Sequence, residues 1–470
     1  VHFVAIGGAG MSGVARVMLD HGVSVQGSDQ ASSPVLDALA ARGARIRDGH
    51  DAAYLDGADT VVVSSAIRET NVELAAARAR GLRILHRSQG LAATMWRADS
   101  RIAVAGANGK TTTTAMLVAS LVACGEDPSF VVGGELVGLD TNGRAGTGRA
   151  YVVEADESDG SFLVYRPHIA VVTSVQPDHL DHYGTAAAVE EAYRAFVNTI
   201  VPGGLLVACL DDPGAAALAA WARESGRVRV VGYGTDPRAE VGLRDVVLDG
   251  LSSTARIEVD GRVASLRLPV PGDYNVRNAA AVVAVAVCGL GLPLEQVCRA
   301  LGGFLGVRRR FEVRGEVDGV SVVDDYAHNP AKVAAVVSSG ARFVEGHGRL
   351  IAVFQPHLYT RTRDFAVEFA AALAPADVVL VLDVYAARED PIPGISHDLV
   401  VDALRSCWAE AAESGKILVN DIVEASDVVA AADVVVSLAR PGDLVVTIGA
   451  GDVTTLAPRV LAGLGARGLS

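Results

Sequence analysis

Gly106-Ala107-Asn108-Gly109-Lys110-Thr111-Thr112 is a run whose residue types can hold a polyphosphate. Backbone N–H groups of a glycine-rich turn cradle phosphate oxygens. A lysine then reaches the phosphoryl group being transferred, and the next hydroxyl holds Mg2+. The run is shorter than G-x-x-x-x-G-K-[ST], because Val104 stands where the first glycine belongs. Lysine is otherwise rare: Lys110, Lys332 and Lys416 are the only ones among 41 basic residues.

Two acidic motifs follow. Glu154 to Asp159 reads E-A-D-E-S-D, and Pro177 to Asp181 reads P-D-H-L-D. Carboxylates at a strand end suit Mg2+, directly or through water. Alone, the first motif reads as a solvated acidic loop; the lysine turn upstream reverses that preference. His179 follows the next strand, so it can face the same cleft as a further ligand. An isolated His–Asp pair is otherwise a local hydrogen bond.

A second glycine turn lies upstream, from Ile6 to Gly13. It holds Gly8, Ala9, Gly10, Met11, Ser12 and Gly13, with glycines in the G-x-G-x-x-G spacing. Glycines let the backbone approach a pyrophosphate at a helix N-terminus. Asp29 ends the next strand and could bond a ribose or base. Taken alone, this reads as a dinucleotide fold, with an NAD(P)-dependent oxidoreductase as one outcome and a ligand-free tight turn as the other.

Further candidates lie downstream. Asn275 and Asn278 share a helix face and could read an adenine edge, although helix capping by Asn275 fits equally. R-R-F-E (Arg309 to Glu312), D-D-Y-A-H-N-P (Asp324 to Pro330) and F-Q-P-H-L-Y-T-R-T (Phe354 to Thr362) follow. Arg361 suits bidentate binding of carboxylate or phosphate. His328 and His357 could donate to phosphates or shuttle protons. Each alone reads as a solvated loop residue. Their weight comes from lying at the ends of successive strands, where open α/β sheets bind ligands.

The elements that would position them alternate between strand and helix. Strands are expected at His2–Ile6, Val23–Gln26, Val61–Val63, Ile102–Ala105, Tyr151–Val153, Ile169–Thr173, Val320–Val323, Leu350–Phe354, Val378–Leu382 and Leu444–Thr447. Helices are expected at Met11–His21 and Pro34–Arg42. This alternation predicts an α/β fold of parallel sheets with crossover helices. Residues 230–270 are richer in short alternating runs and predict a small antiparallel appendage. Breaks near Arg101 and Arg308 divide the chain into three expected domains. These are a Rossmann-like domain over 1–99, a P-loop domain over 100–307 and a second Rossmann-like domain over 308–470.

The 470 residues are 50% hydrophobic and 20% charged, with a net charge of −14. A core of several domains can form, and no basic field is available for nucleic acid. The longest uncharged stretch, Asn278 to Leu294, is broken by Gly289, Gly291 and Pro293, so no membrane insertion is expected. No secretory signal is visible in the opening His-Phe-Val-Ala-Ile-Gly, and the five cysteines are scattered. The expected location is the cytoplasm.

In order, HFVAIGGAGMSGVA, GSD, SSAI, GANGKTTTT, EADESDGSFL, PDHLDHYG, NVRNAAA, RRFE, DDYAHNP, FQPHLYTRTRDF, DVYAAREDPIPGIS and IGAGD resemble the Mur ligase family over nearly the whole chain. The likeness is greatest to its alanine-adding branch. That resemblance implies a UDP-binding domain, a central ATPase domain and a closing domain that receives the amino acid. It implies ATP and Mg2+ as cofactors, and UDP-N-acetylmuramate and L-alanine as substrates of an amide ligase that works through an acyl phosphate. By the same likeness Thr111, Glu154 and His179 hold the metal, while Lys110 neutralises phosphate charge. Gly106 to Thr112, Asn275, Asn278, Arg310, Asp325 and Tyr326 bind ATP. His328 meets ATP or the acyl phosphate, and Arg361 faces the incoming substrate. Gly8 to Ser12, Asp29 and Ser65 bind the UDP-substrate. A monomer or homodimer is expected. Leu358 stands where the branch commonly has Arg. No lysine lies between Lys110 and Lys332, so the carbamylated lysine of sister ligases has no counterpart, which suits the alanine-adding branch. The alternative is a sister ligase that adds another amino acid or a peptide.

Overall fold

The computed structural model describes residues 1–30, 32–387, 389–413, 421–424 and 427–467. The Asp181 side chain, and residue 388 of the motif at 383–396, lie outside the described residues. The chain forms two compact units: residues 1–248 with 252–306, and residues 249–251 with 307–470.

The first unit contains two sheets. One holds β1 (His2–Val4), β2 (Gln26–Asp29), β3 (Arg45–Asp48), β4 (Thr60–Val63) and β5 (Arg83–His86). All pair in parallel, in the order β3-β2-β1-β4-β5. The helix Ala9–Asp20 starts after Gly8 and ends at a left-handed Gly22 (φ 76°). The Val23 amide returns to the Met18 carbonyl in that turn. Residues 22–23 are therefore used to close the helix, and β2 begins at Gln26, not at Val23 as the apolar run predicts. Likewise β1 stops at Val4, because Ala5 turns left-handed (φ 58°) and its carbonyl accepts from the Gly8 amide.

The second sheet has ten strands. They are β6 (Ser100–Ala105), β7 (Ser129–Leu136), β8 (Thr141–Arg144), β9 (Ala150–Glu154), β10 (Ile169–Val172), β11 (Leu205–Cys209), β12 (Arg229–Gly234), β13 (Val241–Asp249), β14 (Ser252–Val259) and β15 (Arg262–Leu268). The order is β15-β14-β13-β12-β11-β10-β6-β9-β7-β8. Strands β6, β9, β10, β11 and β12 are parallel, while β7–β8 and β14–β15 are antiparallel hairpins. The short alternating runs expected near 230–270 are thus part of the central sheet. They satisfy the backbone groups that β12 would otherwise leave open at an edge. All four residues of β10 are buried, as a strand covered on both faces requires.

The second unit holds β16 (Glu312–Val317), β17 (Val320–Asp325), β18 (Leu350–Phe354), β19 (Val378–Val381), β20 (Asp421–Glu424) and β21 (Leu444–Ile448). The order is β16-β17-β21-β18-β19-β20, with only the β16–β17 pair antiparallel. Separate apolar clusters cover the two faces, one around Phe354, Phe369 and Leu404, the other around Ile351, Leu380 and Val460. Each such fully buried side chain contributes about 1.5–3 kcal/mol. The parallel strands end together at Asp325, Phe354, Val381 and Ile448, which gathers the loops that follow them.

Candidate active site

The glycine turn after β6 is shaped by close approach. A Cβ on Gly106 (φ 136°) would lie 2.1 Å from Thr173 Oγ1, so only glycine fits. The end of β10 clamps this turn. The Asn108 amide donates to Ser174 Oγ (3.0 Å), its side chain donates to Gln176 Oε1 (3.1 Å), and the Ala107 amide donates to the Ser174 carbonyl. Gly109 (φ 85°) then hands the chain to the helix Lys110–Ala123, whose first-turn N–H groups have no helical partner. Thr112 is half-buried in that turn.

Lys110 Nζ donates to the Gly106 carbonyl (2.8 Å) and to Glu157 Oε1 (2.7 Å). Burial pulls its pKa down, but Glu157, Asp156 and Glu154 outweigh burial and hold the ammonium above its ordinary value. Thr111 Oγ1 donates to Glu154 Oε1 (2.9 Å), and the Gly133 amide donates to Glu154 Oε2 (2.8 Å). His179, in a left-handed conformation (φ 56°), sets Nε2 3.9 Å from Glu157 Oε1 and 3.7 Å from Asp178 Oδ2. The structure therefore bonds Thr111 to Glu154, and it sets His179 near Asp178 and Glu157 but beyond hydrogen-bond distance of either. Among the described residues no cage of three His, Cys, Asp or Glu forms. The donor set still fits Mg2+, which takes one or two protein oxygens and fills the rest with water and phosphate.

Asn275 and Asn278 lie in the first turns of the helix Asp273–Val283, which is entered through Gly272. Asn275 is not its cap. Its Nδ2 donates back to the Pro271 carbonyl (2.7 Å), and Asn278 Nδ2 donates to Asn275 Oδ1 (3.3 Å). Both are about 95% buried, and Asn278 Oδ1 lies against Gly109, where a Cβ would approach it to 2.7 Å. Two amides thus border the glycine turn at 106–109.

The upstream glycine turn is tied to the second sheet of the same unit. Asp29 Oδ2 accepts from the Gly7 amide (2.8 Å), so this carboxylate braces the turn. The Arg87 side chain lies over Gly10, and Gly13 packs on Val131 and Asn142. Met11 and Ser12 are buried. Asn142 Nδ2 donates to the Ala9 carbonyl (2.6 Å), and Arg16 donates to Asn142 Oδ1 (2.7 Å). Ser65 and His86, after β4 and at the end of β5, meet Asp159, while Arg87 pairs with Asp156 (3.3 Å).

In the second unit Asp325 is buried and accepts from the Phe311 and Ala327 amides, each at 2.7 Å. Burial pushes its carboxyl above the ordinary value, against the Arg310 charge. Tyr326 lies under the guanidinium groups of Arg309 (4.9 Å) and Arg310 (5.6 Å). Arg309 also donates to the Gly449 carbonyl (2.7 Å). Arg361 donates to the His328 carbonyl (3.4 Å) and contacts His357 Nδ1 (3.3 Å).

His328 Nδ1 sits 2.9 Å from the Tyr326 carbonyl, so the proton belongs on Nδ1 and Nε2 carries the lone pair. Burial, then the charges of Lys332 and Arg361, lower its pKa to about 3. The unfolded chain therefore takes this proton first. The stability it supports is whole above the ordinary 6.5 and is lost as pH falls through the window toward about 3. Urea unfolding below pH 6.5 should show that slope, and His328→Gln should flatten it. An unchanged slope would place the imidazole in solvent.

The Mur ligase middle domain description matches residues 104–286. The Mur ligase family catalytic domain matches 1–98, and the Mur ligase glutamate ligase domain matches 309–451. The UDP-N-acetylmuramate–L-alanine ligase of Kineococcus radiotolerans is 52% identical, over 98% of this chain and 95% of that protein. The chain belongs to the Mur ligase family. The protein of the same name from Renibacterium salmoninarum is 50% identical over 98% of this chain and 95% of its own. The crystal structure of UDP-N-acetylmuramate–alanine ligase from Thermotoga maritima aligns with a TM-score of 0.82 at 28% identity, covering 99% of each chain. A murein peptide ligase from Psychrobacter arcticus shares the fold, with a TM-score of 0.71 at 24% identity.

Several residues of this Mur ligase that organise the site carry no motif signal. Arg16, Arg87 and Asn142 act through partners far away in sequence, so spacing could not reveal them. Glu157 belongs to the E-A-D-E-S-D motif, but nothing local distinguishes it from Glu154 or Asp156.

Proposed function

We propose that this Mur ligase joins L-alanine to the lactyl carboxylate of UDP-N-acetylmuramate at the expense of ATP. The observation that carries the reading is the phosphate turn in which Lys110, Thr111 and Glu154 converge, in a chain half identical to ligases of that name. A carboxylate oxygen attacks the γ-phosphorus and ADP leaves. The amine of L-alanine, having lost a proton, attacks the acyl carbon, and phosphate departs as the amide forms. The first step brings two anions together, so Lys110 offsets their repulsion. Thr111, Glu154 and His179 would hold Mg2+, which supplies further positive charge at the phosphates.

Asn275 and Asn278 border the phosphate turn and offer amide donors and acceptors to adenine. Arg310, Asp325 and Tyr326 would bind ATP, and Arg361 would bind the incoming substrate. His328, neutral at physiological pH, would meet ATP or the acyl phosphate. Gly8, Ala9, Gly10, Met11 and Ser12, with Asp29 and Ser65, receive the UDP-substrate. Domains over 1–99, 100–307 and 308–470 divide these tasks. No helix among the described residues is long and apolar enough to cross a membrane. We place the enzyme in the cytoplasm as a monomer or homodimer.

Phosphate release with ATP, Mg2+ and UDP-N-acetylmuramate should depend on L-alanine and yield a product heavier by one alanine residue by mass spectrometry. Release only with another amino acid or a peptide would move the chain to a sister ligase.

A further inference from the structure

Four carboxylates crowd residues 154–159, yet each has a different partner. Glu154 takes Thr111 and Gly133, Asp156 takes Arg87, and Asp159 takes Ser65 and His86. Glu157 alone takes Lys110 Nζ, at 2.7 Å, and its side chain is only 3% exposed. Its backbone carbonyl is pinned by Tyr183 Oη and the Gly160 amide. Its second oxygen, Oε2, is buried without a hydrogen-bond partner. A buried ammonium cannot stay unpaired, because the desolvation cost is several kcal/mol.

We propose that Glu157 is a positioning residue that holds the Lys110 ammonium at the phosphate turn until a nucleotide polyphosphate takes it over. The proposal rests on the reading of Gly106–Thr112 as the nucleotide site. Glu157 aims the lysine while the site is empty, and it competes with the arriving phosphate for the same charge. The enzyme thereby trades nucleotide affinity for a pre-aimed lysine.

Removing the carboxylate leaves Lys110 unpaired in the free protein but paired in the complex. Nucleotide binding should then gain what the empty state loses. In calorimetry on the full chain, Glu157→Gln is expected to bind ATP and ADP about tenfold more tightly. Adenosine, which lacks the phosphates, should bind as before. The melting temperature of the free variant should fall and recover with ATP. KM for ATP and kcat should both drop, because the lysine binds well but is no longer aimed. Glu157→Asp, which keeps the charge on a shorter arm, should shift ATP affinity in the same direction by less, and it serves if Glu157→Gln fails to fold.

Unchanged or weaker ATP binding, or an equal gain for adenosine, would overturn the proposal. So would a gain that persists in Glu157→Gln combined with Lys110→Ala. ATP affinity that Lys110→Ala alone does not alter would instead overturn the nucleotide-site reading itself.

Discussion

Lys110→Ala should reduce ATP-dependent phosphate release by about a thousandfold or more, a loss typical of removing a charge that acts on a developing anion. Among the described residues, the ammonium is the one cationic group bonded to both the glycine turn and the acidic loop. The neighbouring Thr111 and Glu154 side chains cannot replace it, since neither carries a positive charge. Calorimetry with UDP-N-acetylmuramate should show an affinity within about threefold of the parent, because that ligand is assigned to the first sheet. The variant also strands Glu157, so its stability should fall by about 3–5 kcal/mol. A large loss of UDP-substrate affinity in a folded variant would show that the two sites are not divided between the sheets.

Glu154→Gln should lower kcat by about a hundredfold and raise the Mg2+ concentration needed for half activity. The carboxylate accepts from Thr111 on one oxygen and from the Gly133 amide on the other. An amide must turn its oxygen to Gly133, because its NH2 cannot face another donor. The NH2 group then points at Thr111 Oγ1 and occupies the place where a cation would gain an oxygen. A magnesium titration of phosphate release checks this. An unaltered magnesium dependence would remove Glu154 from the metal site.

The two variants probe features with different origins. The glycine turn at 106–109 is legible because its requirements are local. Gly106 and Gly109 adopt conformations that suit glycine, and Lys110 opens the helix directly after them. The same holds for the alternation of buried strands with helices, since period and punctuation are short-range properties. At the start of β2 one local rule overrules another. Val23 looks like a strand residue, but its amide is consumed in closing the preceding helix.

The downstream clusters were legible only as candidates. His328 and Arg361 lie 33 residues apart, and the convergence of parallel strand ends brings them within hydrogen-bonding distance. Asn275 shows the limit of a local signal. Its residue type and place suggest a cap, whereas the helix begins earlier, at Gly272, and frees the amide for the Pro271 carbonyl.

By itself the sequence determined the alternation of strands, helices and glycine turns, because glycine placement, apolar period and capping act within a few residues. Only the tertiary structure decided the partners. Lys110 meets Glu157 across 47 residues, and Asn142 meets the Ala9 carbonyl across 133. Similar carboxylates stand at 154, 156, 157 and 159. Which one faces the lysine depends on how the strands on either side of β6 set the acidic loop against the phosphate turn, and burial then makes that one pairing matter.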